Sequence, residues 1–137
     1  MDFVVDASVA MGWLLQSQVK PVTEAAEKAL AHGIGWVPSH FGIEVVRTLR
    51  THERRRLITP VVVDTALARL RDLSLKQDAG EVLDHLATIV ALARRYTLRV
   101  ADAAYLELAL RLGLPLATRD ASLARAAKDA GVPLFSA

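Results

Sequence analysis

Apolar positions along this chain recur in two rhythms. Short unbroken runs, such as Phe3-Val4-Val5 and residues 34–37 and 114–117, have the length of buried strands. Between them apolar residues return every three or four positions, as on a helix face; Val82, Leu86, Ile89 and Leu92 are one such series. The punctuation agrees. Pro21 suits a first helical turn and Gly33 a helix end. Thr59-Pro60 reads as a cap followed by a first turn, and Gly113 and Gly131 close two more helices.

The pattern predicts strands at 3–5, 34–37, 73–75, 114–117 and 132–135. It predicts helices from Asp6 or Ser8 to about Gln16, over 21–32, from a Ser39 cap to about Arg55, from Thr59 onward, and over 81–96, 101–112 and 120–130. Strands separated by helices imply one parallel sheet covered on both faces. The length, 137 residues, fits a single domain spanning 1–137.

In such a sheet, ligands bind beyond the carboxyl ends of the strands. That rule draws attention to four acids. Asp6 follows the first strand directly, and Asp120 lies just past the strand at 114–117. Glu44 stands among Phe41, Ile43, Val45 and Val46, and Asp102 among Leu98, Tyr105 and Leu106. An ionised carboxylate on an apolar helix stripe is costly unless a cation pairs with it. Arg47 and Arg99, each three positions away from one of these acids, are possible partners, and Asp6 and Asp120 could instead be helix caps. Taken together, the four suggest a site for a divalent cation. Mg²⁺ or Mn²⁺ takes oxygen ligands, and without it some of the crowded carboxylates should show raised pKa values. Ser8 and Thr118, two positions from Asp6 and Asp120, could orient a carboxylate or a metal-bound water, or could cap a helix.

Composition excludes several classes. Apolar residues form 53% of the chain and charged residues 23%, so a folded core is expected. Without cysteine there is neither a disulfide nor a thiolate metal site. No run suits a membrane span or a secretory leader, so a cytoplasmic protein is expected. Net charge is only +2, yet Arg47, Arg50, Arg54, Arg55 and Arg56 lie close together. With Arg119, they are candidates for an anionic partner, and a solvated helix end is the plainer reading. Gly33-Ile34-Gly35 lacks the third glycine of a dinucleotide loop, and no P-loop occurs. His32, His40, His52 and His85 show no ligand spacing and are expected to be structural or surface residues. Trp13 and Trp36 are expected in the core or at a dimer interface.

Asp6 in V-V-D-A-S, Glu44 in P-S-H-F-G-I-E-V, Asp102 in A-D-A-A-Y-L-E-L-A and Asp120 in T-R-D-A-S-L resemble the four acidic motifs of PIN domains. Order, spacing and length resemble the VapC-type toxins of toxin–antitoxin pairs. The resemblance departs at Arg47, where relatives often carry Asn. It implies a three-layer α/β/α PIN-like fold with a central parallel sheet of four to five strands. It also implies an endoribonuclease dependent on Mg²⁺ or Mn²⁺, cleaving RNA with a metal-activated water. Asp6 and Asp102 would be direct ligands, Glu44 and Asp120 would complete the shell, and the arginines would meet RNA or antitoxin. The implied partners are RNA, a cognate antitoxin and a second copy in a homodimer. Rival readings are a catalytically silent PIN-fold binding module and a housekeeping RNA-processing nuclease. A phospho-receiver would need a late lysine after a strand, whereas Lys128 falls inside an expected helix.

Overall fold

The computed structural model describes residues 1–79 and 82–136. Its first strand, β1 (Phe3–Val5), is wholly buried, as a run of three bulky apolar residues in a parallel sheet requires. The chain continues through α1 (Ala7–Leu14), α2 (Pro21–Ala29), β2 (Gly35–Val37), α3 (Phe41–Arg54), α4 (Pro60–Asp72) and β3 (Leu75–Gln77). It returns through α5 (Val82–Tyr96), α6 (Val100–Leu112), β4 (Leu116–Ala117) and α7 (Ala121–Asp129). The four strands lie in the order β3-β2-β1-β4, all parallel. Helix α1 packs against α2, α3 and α4, while α6 packs against α5, α7 and β1. The result is the three-layer α/β/α arrangement expected of the pattern.

Several boundaries differ from the sequence expectation. The third strand is displaced from 73–75 to Leu75–Gln77. The expected fifth strand, 132–135, shrinks to one parallel bridge between Leu116 and Leu134. Pro133 accepts from the Leu116 amide but has no N–H to donate, which limits the ladder there. α1 stops at Leu14 and a 3₁₀ turn, Gln16–Gln18, follows; α2 ends at Ala29 rather than near residue 32. Asp6, not Ser8, caps α1. Ser39 does not cap α3, whose flanking residue is His40. Thr59 caps α4 through the Val62 amide, and Gly113 closes α6 in the left-handed conformation, both as expected. Glu81, the expected start of the helix at 81–96, lies outside the described residues.

Strand order decides where the site lies. From β1 the chain builds outward to β2 and β3, then crosses back to place β4 on the other side of β1. The direction of winding therefore reverses between β1 and β4, and a crevice opens beyond their carboxyl ends. Val5 pairs with Ala117, the last residue of each strand, so Asp6 and Thr118 leave the sheet side by side.

Candidate active site

Asp6 is fastened on every side. Its amide donates to the Ala117 carbonyl, and its carboxylate accepts from the Val9 amide at 3.1 Å as the cap of α1. Ser8 Oγ donates to one carboxylate oxygen at 2.6 Å, and Thr118 Oγ1 donates to the other. Both hydroxyls in turn accept a backbone amide, from Arg119 and Asp120 respectively, at 3.0 Å. Each hydroxyl hydrogen is thereby directed at Asp6. Ser8 and Thr118 thus orient this carboxylate instead of capping helices.

Only 4% of Asp6 is exposed, and among the described residues no Lys, Arg or His nitrogen lies within 4.0 Å of it. Burial pushes its pKa up to about 6 against the pull of the three hydrogen bonds, and the charge of Asp102 adds to the rise. The raised carboxyl anticipated from crowding is therefore present, with desolvation rather than repulsion as its main cause.

Glu44 belongs to the first turn of α3 and reaches across to α6. Tyr105, fully buried, donates its hydroxyl to Glu44 Oε1 at 2.6 Å. His40 Nε2 lies 3.3 Å from the same oxygen and 3.1 Å from the Ala101 carbonyl, and Arg47 stands 3.8 Å from Oε2. Burial raises the Glu44 pKa, but these partners outweigh it and hold the carboxyl below its ordinary value. The Tyr105 phenol is raised, by burial first and then by Glu44. Asp102 is 8% exposed in the first turn of α6. Arg99 Nε donates to it at 3.0 Å and Arg99 Nη2 at 3.5 Å. Arg99 is raised by that bond and charge, and further by Asp120 and Glu44. Asp120 caps α7 by accepting from the Leu123 amide at 2.9 Å.

These four acids, from segments up to 114 positions apart, line one cleft of about 320 Å³. Of the six arginines expected to meet an anionic partner, only Arg47 and Arg119 line it. Arg119 is held by the carbonyl and side chain of Gln18 at 3.3 Å. Arg50 pairs with Glu53 at 2.6 Å. Arg54, Arg55 and Arg56 are exposed at the far end of α3, about 15 Å along the helix from Glu44. Tyr105 and His40 were not singled out as site residues from the sequence. His40 had one local signal, its position four before Glu44; Tyr105 had none, because its partner sits on another helix.

Among the described residues no three Asp, Glu or His side chains converge closely enough to hold a metal as they stand. Mg²⁺, however, is usually held by one or two carboxylates and keeps several waters. Asp6 and Asp102 fit that requirement. Both are buried acids in one cleft, the charge of Asp102 reaches Asp6, and among the described residues Asp6 lacks a compensating cation. The oxygen-only donor set suits a hard divalent ion. Among the described residues no helix is long and apolar enough to cross a membrane.

Comparison with known proteins agrees with this architecture. The PIN domain model matches residues 3–129. Ribonuclease VapC3 of Mycobacterium tuberculosis is 37% identical over 125 residues, covering 90% of this chain and 85% of that protein. Ribonuclease VapC12 of the same organism is 34% identical over 127 residues, covering 89% of each. Among solved structures, PAE2754 from Pyrobaculum aerophilum superposes with a TM-score of 0.63 at 18% identity, covering 92% of this chain and 84% of that one. FitAcB from Neisseria gonorrhoeae gives 0.62 at 20% identity, covering 99% and 97%. At those identities the superpositions speak for the fold.

Proposed function

Because this chain belongs to the PIN domain family, we propose that it is a single-domain, metal-dependent endoribonuclease acting as the toxin of a toxin–antitoxin pair in the cytoplasm. The names of its VapC relatives support the ribonuclease class. The observation that carries the reading is the buried Asp6, without a cation among the described residues within 4.0 Å, in one cleft with Asp102, Glu44 and Asp120.

In this reading Asp6 and Asp102 hold Mg²⁺ or Mn²⁺, and Glu44 and Asp120 complete its surroundings directly or through water. When bound, the ion polarises a phosphoryl oxygen, makes water a better nucleophile and offsets charge on the departing oxygen. The chain supplies the orientation. Ser8 and Thr118 fix the Asp6 carboxylate, each backed by a backbone amide. Tyr105 and His40 fix Glu44 and keep it ionised, so that it can order water instead of storing a proton. Arg47 and Arg119 flank the acids and would take RNA phosphates. Arg50, Arg54, Arg55 and Arg56 would extend that contact or meet an acidic part of the antitoxin. Exposed Ile43, Val46, Leu57 and Val61 on and near α3 and α4, and Leu83 and Leu86 on α5, are apolar surface suited to antitoxin and to a homodimer mate.

The test combines binding with catalysis. Asp6→Asn and Asp102→Asn should each abolish Mn²⁺ binding by calorimetry and lower RNA cleavage more than a hundredfold, with the fold retained by circular dichroism. Full cleavage by either variant would overturn the mechanism.

A further inference from the structure

Three arginines line the cleft, and they are held differently. Arg119 is tied to Gln18, and Arg47 stands 3.8 Å from Glu44. Arg99 alone of the three makes two hydrogen bonds to one of the acids, donating Nε and Nη2 to Asp102. Yet 74% of its side chain is exposed. It occupies the flanking position before α6, and its backbone is already extended (φ −63°, ψ 150°). Asp102, by contrast, is buried and cannot follow it outward. The bond is therefore anchored at the carboxylate and free at the arginine.

We infer that Arg99 is an exchangeable counter-ion: it neutralises Asp102 in the metal-free cleft, yields it to the divalent ion, and turns its guanidinium to an RNA phosphate. The exchange follows from competition for one carboxylate. A divalent ion at Asp102 competes with the guanidinium for the same two carboxylate oxygens, and its own charge repels Arg99. The arginine half of the pair is open to water, which can take over its bonds as it swings out, while the arriving ion takes over the buried carboxylate. A guanidinium released at the cleft mouth has five donors in a planar fork, the geometry that grips phosphate in two places. The acid that lacked a local cation, Asp6, and the acid that has one, Asp102, are then two halves of one device. One attracts the metal, and the other is kept paired with a cation until it arrives.

This inference rests on the proposal that Asp6 and Asp102 hold a metal, and the test separates the two. Calorimetric titration of metal-free protein with Mn²⁺ is compared for the wild type, Arg99→Ala and Arg99→Lys. Removing the competing charge should tighten Mn²⁺ binding, roughly tenfold at low salt, and the gain should shrink as salt screens it. Lysine, which keeps the charge, should restore the wild-type affinity. In cleavage assays at saturating Mn²⁺, Arg99→Ala should raise KM for RNA at least fivefold. Opposite shifts in metal and RNA affinity are not the mark of a merely structural residue. Mn²⁺ affinity unchanged or weakened in Arg99→Ala overturns the exchange, as does an unchanged KM. Failure of the wild type to bind Mn²⁺ overturns the metal reading itself.

Discussion

At the scale of single residues, Asp6 carries two duties that pull in opposite directions. As a cap it accepts the Val9 amide, and as a buried acid it is denied the water that would stabilise its charge. The pH dependence follows from the sign of its shift. A carboxyl raised from 3.8 to about 6 binds its proton more tightly in the folded state. The stabilisation this gives is fully present below about pH 4 and is lost as pH rises through 6. At pH 7 the cost of the charged form is about 3 kcal/mol. Asparagine is also a good cap. Asp6→Asn should therefore make the metal-free protein more stable than the wild type in urea unfolding at pH 7, by up to about 3 kcal/mol, and the difference should vanish near pH 4. Equal stability at pH 7 would mean that the charge is relieved in some other way. Glu44 contrasts with Asp6: similar chemistry, but with Tyr105, His40 and Arg47 around it, its carboxyl falls below the ordinary value. Local company, not residue type, sets the behaviour of each acid.

At the scale of elements, two positions test how the helices are joined. α1 and α2 approach so closely at Gly12 that a Cβ there would lie 2.4 Å from the buried Thr23 side chain. Gly12→Ala should force the two helices apart and cost about 1–3 kcal/mol, despite alanine's better helix propensity. A drop in Tm measures it; an unchanged Tm would show that the pair is looser than the geometry implies. α5 ends differently. Leu98 donates back to the Ala93 carbonyl at 3.0 Å, and Thr97 adopts the left-handed conformation that this closure demands, at φ 53°. A β-branched residue is strained there. Thr97→Gly should relieve the strain and raise stability by about 1 kcal/mol, read as a shift in the urea midpoint without a change in slope. The sequence signalled the end of α6 through Gly113, but at the end of α5 the usual glycine is absent and the tertiary packing imposes the same turn.

At the scale of the whole molecule, charge is distributed rather than summed. A net charge of +2 conceals a cleft lined by four acids and rimmed by Arg47, Arg99 and Arg119. If Arg47 and Arg119 each neutralise an RNA phosphate, replacing both by alanine in an Asp102→Asn background should weaken RNA binding. It should also flatten the plot of log affinity against log salt by about 1.4. Filter binding over a range of salt concentrations measures that slope, and an unchanged slope would remove both residues from the RNA contact. Substituting Arg54, Arg55 and Arg56 instead separates the far end of α3 from the cleft. It should leave cleavage of a short RNA unchanged and alter only longer contacts.

The alternation of strand and helix was legible in the chain because burial imposes its own period: three consecutive apolar residues at Phe3–Val5, and every third or fourth along α5. The positions of Asp6 and Asp120 at strand exits were legible for the same reason, since a strand's end is visible where its apolar run stops. The short third and fifth strands were not placed correctly. Pairing in a sheet is settled by neighbours distant in the chain, and the final segment forms only a bridge. Most of the site's chemistry was also outside the sequence's reach. Tyr105 stands 61 positions from Glu44, and Thr118 stands 112 from Asp6. No local spacing encodes either bond. The sequence by itself determined which acids would be costly to bury. The cations three positions from Glu44 and Asp102 were legible as well. Only the tertiary structure, which sets β4 beside β1 and α6 against α3's first turn, brought Thr118 to Asp6 and Tyr105 to Glu44, and left Asp6, among the described residues, with hydroxyls and an amide but no cation.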